Sequence, residues 1–92
     1  MLGRIVSLTG PSAAVTQAKD AFASQGVAIL KSLPGLQTLH VFFNPAEGRA
    51  AIVSIWTDEE KAKAAMQAMA GMQQKIMGLG LSFKLEDYDV VA

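Results

Sequence analysis

Cysteine is missing altogether, so disulfides, thiolate nucleophiles and cysteine-bound metals are excluded. Histidine occurs once, at His40, and a single imidazole without thiols makes a metal site a poor expectation. Charge is scarce and balanced. Eight basic and eight acidic residues give a formal net charge of zero, and the charged fraction is 17%, against about 25% in an average chain. With no basic field to attract phosphates, no nucleic-acid partner is expected. No apolar run approaches the roughly 18–20 residues of a membrane span, so no membrane is expected either. The apolar stretch within residues 1–10 is too short for a secretory signal, which leaves a cytoplasmic protein as the expectation.

What the chain has in excess is apolar surface: 51% of its 92 residues are hydrophobic. The length is that of one domain, residues 1–92. A chain of this size buries roughly 60–65% of its unfolded surface. The apolar content therefore exceeds what one small core can hide.

The organising stretch is residues 33–56, LPGLQTLHVFFNPAEGRAAIVSIW. It reads as a β-hairpin, with strands over 36–43 and 50–56 and turn chemistry in Asn44-Pro45-Ala46-Glu47-Gly48-Arg49. An even-numbered loop sets Phe43 opposite Ala50. One face then carries Gln37, Leu39, Val41 and Phe43 with Ala50, Ile52, Ser54 and Trp56, and a slip by one residue would exchange the partners. Either register leaves both faces apolar.

Around the hairpin, Leu2 to Thr9 reads as a first strand, stopped by Gly10-Pro11, with Ser12 placed to cap a helix. That helix spans about 13–33, with Val15, Ala18, Phe22, Ile29 and Leu33 on one stripe and a soft point at Ser24 to Gly26. Thr57 and Glu60 match a capping box at the start of a second helix, whose stripe is Ala62, Ala65, Met66, Met69, Met72 and Ile76. Residues 81–91 read as the last strand. Its apolar phase flips after Leu85, which a bulge near Glu86-Asp87 or a tail leaving its own sheet would produce.

The order strand, helix, strand, strand, helix, strand is the split βαβ, ferredoxin-like pattern: an α+β fold with an antiparallel sheet. Its helices cover one sheet face, and the second face should then alternate apolar with polar. The hairpin does not alternate in that way. A homodimer, sheet face against sheet face, is the simplest cover.

These residues resemble a known family. Leu33-Pro34-Gly35 entering the hairpin, a strand ending in Phe42-Phe43, the turn from Asn44 to Arg49, and Trp56 before an acidic helix start are together similar to the antibiotic biosynthesis monooxygenase (ABM) superfamily. The resemblance implies a dimeric α/β barrel with a pocket in each subunit between sheet and helices. Members include cofactor-independent oxygenases of aromatic polyketides and haem-degrading enzymes. The haem-degrading members use an asparagine on the first strand, a tryptophan ending the third and a histidine on the second helix. Trp56 matches the tryptophan, but the helix region holds Ala65, Met66 and Gln67, and Ser7 is the nearest polar group on the first strand. Haem degradation is therefore not expected, and no cofactor is implied.

Candidate substrate-binding residues are Trp56, Ser7, Ser54, Met66 and Met69, with Arg4 and Tyr88 as further polar candidates. Each also has a plain structural role open to it. Trp56 suits either ligand stacking or packing with a bonded indole. The methionines suit either an adaptable pocket or core. His40 suits either a base or a residue of the dimer interface. No catalytic residue is assigned. Two functions stand open: a cofactor-free monooxygenase of an aromatic or quinone-like small molecule, and a non-catalytic homodimer that binds a small ligand or serves assembly. A closed space of a few hundred cubic ångströms at Trp56 with converging polar groups would favour the enzyme. A layer filled by Phe22 and the methionines would overturn it.

Overall fold

Strand β1 (Leu2–Thr9) keeps the boundaries that its apolar run suggests, and it lies inside the sheet between β3 (Arg49–Trp56) and β4 (Ser82–Asp89). The computed structural model describes all 92 residues. Its four strands pair antiparallel in the order β2-β3-β1-β4, with β2 (Leu36–Asn44) at the far edge. Helices α1 (Ser12–Ala21) and α2 (Val27–Ser32) connect β1 to β2, and α3 (Glu59–Ala68) and α4 (Ala70–Gly78) connect β3 to β4. This is the ferredoxin-like α+β arrangement.

Period-two patterning decides which face meets the helices. Ala50, Ile52, Ser54 and Trp56 of β3 are buried, while Ala51, Val53 and Ile55 between them are only half-buried. Val15, Ala18 and Phe22 from the first helical segment and Ala62, Ala65 and Ile76 from the second close the core over that face.

The first helical segment departs from simple helical spacing. Phe22–Gly26 winds as a π turn, in which the Val27 amide donates to the Phe22 carbonyl. One surplus residue is absorbed there, so the buried stripe runs through Phe22, Gly26 and Leu30, and Ile29 is only half-buried. Gly26 makes this possible, because a Cβ there would stand 2.8 Å from Phe22 Cδ2. The Phe22 ring lies against the glycine and packs on Phe43 with centroids 6.2 Å apart. Ser12 is not the cap: Pro11 holds that position with extended angles, and no side chain caps the first turn.

Phe43 pairs with Ala50, in the register of an even loop. The turn is a 3-10 segment, Pro45–Glu47, in which the Asn44 side chain accepts from the Glu47 amide at 3.2 Å. A bulge between Leu36 and Thr38 removes Gln37 from the ladder and sets Leu36, not Gln37, opposite Trp56.

Helix α3 is capped by Asp58, whose carboxylate accepts from the Lys61 amide at 2.8 Å; the Thr57–Glu60 box does not form. The second helix is also not continuous. It breaks at Met69 (φ −94°, ψ 2°) between α3 and α4. Strand β4 contains no bulge. Its ladder with β1 is regular through Val6–Leu85, Arg4–Asp87 and Gly3–Tyr88, and the Val90 amide still bonds Met1 at 3.2 Å. The apolar phase flips because Asp87 takes an inner-face position opposite Arg4, which turns Tyr88 to the outer face.

Candidate functional site

Three side chains gather on the inner face because their strands are in register. Arg4 lies directly across from Ser54, and Leu2 across from Trp56, so alternation points Arg4, Ser54 and Trp56 the same way. Trp56 is 1% exposed, and its indole Nε1 donates to Ser54 Oγ at 2.9 Å. Arg4 is 6% exposed. It donates through Nε and Nη2 to the two carboxylate oxygens of Asp87, at 2.8 and 3.1 Å, and through Nη1 to the Ala62 carbonyl at 2.7 Å. A bidentate pair of this kind fixes the guanidinium plane as well as its charge.

These groups form one wall of a cavity of about 80 Å³ between sheet and helices. Thirteen of its sixteen lining residues are hydrophobic; Arg4, Ser54 and Gln73 are the rest. Phe22 lines it from the π turn, and Met66 and Met69 from the end of α3. Among the lining residues, Met66 is exposed and Val6, Met69, Gln73, Phe83 and Leu85 are half-buried; most of these lie at the α3–α4 break and on edge strand β4, which places the mouth between them.

Of the residues singled out in the sequence, Trp56, Ser54, Met66 and Met69 come together here, joined by Arg4. Met66, expected in the buried stripe, is 43% exposed at the mouth. Ser7 does not join them. Its odd position on β1 turns it to the opposite sheet face, in an open depression beside Phe42 and Arg49. His40 and Tyr88 are also on the outer face, His40 stacked on Phe42 with centroids 6.3 Å apart. The Tyr88 hydroxyl donates to Glu86 at 3.0 Å, and that bond, with the carboxylate's charge, raises its pKa above the ordinary 10.0. Asp87 and Gln73 escaped the reading of the sequence. The phase flip of β4 was the available signal for Asp87.

The chemistry on offer is desolvation and hydrogen-bond donation. Both Asp87 oxygens face Arg4, and no imidazole reaches the cavity. No group of three or more His, Asp or Glu side chains converges as a metal site would require. No helix is long and apolar enough to cross a membrane.

No family model and no curated protein sequence matches the chain. Solved structures do. A candidate antibiotic biosynthesis monooxygenase from Deinococcus radiodurans superposes with a TM-score of 0.85 at 11% identity, over 100% of this chain and 94% of that one. The chain has the fold of that solved structure. SnoaB, a cofactor-independent oxygenase from Streptomyces nogalater, shares this fold with a TM-score of 0.67 at 14% identity, covering 99% of this chain and 93% of its own. A dimeric ferredoxin-like protein from an uncultured marine organism gives 0.79 at 15% identity, over 99% and 95% of the two chains. At such identities the likeness to the monooxygenases is one of fold.

Proposed function

We propose that this chain is an ABM-like homodimer whose inner cavity binds an aromatic or quinone-like molecule and oxidises it as a cofactor-independent monooxygenase. The observation that carries the reading is the lining: apolar side chains against Trp56, with two buried polar side chains, Ser54 and Arg4, on one wall, although the space they enclose falls short of the few hundred cubic ångströms expected of an enzyme site. The known activity of SnoaB, a cofactor-independent oxygenase with this fold, supports it by analogy.

In such a reaction the substrate supplies the electrons. For an anthrone, one atom of O2 ends as the ring carbonyl and the other as water, which takes the two hydrogens of the ring methylene. The protein's part is to hold the ring away from water beside Trp56 and to present donors to oxygen where negative charge develops. The cavity of about 80 Å³ is smaller than the roughly 300 Å³ at which small-molecule sites begin. Room for a multi-ring substrate has to come from Met66 and Met69, flexible side chains at the mouth.

Dimerisation is proposed through the outer sheet face. There Ile5, Val53 and Ile55 are half-buried, and Phe42 and Tyr88 are 58% and 52% exposed. The dimeric ferredoxin-like neighbour supports this by analogy.

A second reading, a non-catalytic small-ligand binder, is favoured by a cavity lining that holds no carboxylate or imidazole to act as a base. An anthrone-oxidation assay with oxygen uptake separates the two. The monooxygenase reading expects turnover above background that falls at least tenfold in Trp56→Phe. Equal, background-level rates in both proteins retire it.

A further inference from the structure

We infer that Ser54 is the hydrogen-bond donor that selects the ligand, admitting a ring that carries a carbonyl oxygen over the same ring without one. The inference rests on the reading of the cavity as a binding site. Ser54 is 4% exposed and lines that cavity. Its oxygen already accepts from Trp56 Nε1 at 2.9 Å, and its own proton goes to no acceptor in the protein. A hydroxyl has one donor and two acceptor sites. Trp56 thus fixes Ser54 from the acceptor side and leaves the donor for something inside the cavity.

Arg4 strengthens the preference. It stands opposite Ser54 in the β1–β3 ladder and lines the same wall. Its three bonds, to both Asp87 oxygens and to Ala62, use three of the five N–H groups of a guanidinium, and the others lie on Nη1 and Nη2. The wall around Trp56 is therefore rich in donors, and its one open acceptor site is the second lone pair of Ser54 Oγ. Asp87 balances the charge of Arg4, so the wall suits a neutral, polarisable carbonyl better than a carboxylate, whose full charge would be desolvated without a free counter-ion. The lining amide, Gln73, lies out at the mouth, and the methionine sulfurs are weak acceptors.

The test uses 1-indanone and indane, which differ by the carbonyl. Trp56 is the sole tryptophan, so its fluorescence reports occupancy directly. Wild-type protein should bind 1-indanone about tenfold more tightly than indane. Bound 1-indanone should show a carbonyl stretch lowered in frequency relative to its value in an apolar solvent. Ser54→Ala should bring the two affinities within about twofold, leave indane binding unchanged within that range, and return the stretch towards the apolar-solvent value. Equal affinities in wild type, or a Ser54→Ala variant that loses both ligands alike, would overturn the role of Ser54 while leaving the cavity reading intact. Failure of both compounds to bind wild type would overturn the cavity reading and this inference with it.

Discussion

Arg4 shows how one residue ties the sheet, the helices and the cavity together. Its side chain is 7% exposed, and its partner Asp87 keeps 37% exposure. Removing the carboxylate leaves a buried guanidinium with only the Ala62 carbonyl. Asp87→Ala should therefore cost about 2 kcal/mol in urea unfolding. A double change, Arg4→Met with Asp87→Leu, should recover to within about 1 kcal/mol of wild type, because it removes both charges together. Tyr88, the sole tyrosine, offers a second residue-scale check. Its bond to Glu86 holds the neutral phenol, so absorbance at 295 nm should place phenolate formation above 10.0, and Glu86→Gln should bring it back down. The sign follows from the raised value. The contribution to stability is complete below the unfolded pKa and is lost as pH rises through the folded one. Trp56 and Ser54 were legible as a pair because period-two alternation needs only their own strand. Asp87 was not, because its inward turn makes sense only once Arg4 is seen across the ladder.

At the scale of elements, strand alternation and Gly-Pro punctuation carried the sheet, including the Phe43–Ala50 register. The details that escaped were those set by a neighbouring element. The Thr57 amide, which Glu60 would need in a capping box, already donates to the Gly35 carbonyl at 2.8 Å. Capping therefore passes to Asp58. Asp58→Ala should lower stability by about 1 kcal/mol in chemical denaturation, while Glu60→Ala should stay within about 0.5 kcal/mol of wild type. The π turn belongs to the same class. A glycine marked the soft point, but the shift of burial from Ile29 to Leu30 depends on the Phe22 ring resting where Gly26 has no side chain.

For the molecule as a whole, the excess of apolar residues noted at the outset goes to two places, the helix–sheet core and the sheet's other face. The proposed dimer predicts a light-scattering mass about twice 9.7 kDa at micromolar concentration. Phe42→Glu should reduce it to that of one chain, since a carboxylate would replace an exposed apolar ring of the outer face. The break at Met69 has a consequence of another kind. The roof of the cavity is two short rods meeting at an elbow, and Gly71 just beyond it has open space on its Cβ side. A side chain added at Gly71 would meet no neighbour and would stiffen that elbow while leaving the floor of strands untouched.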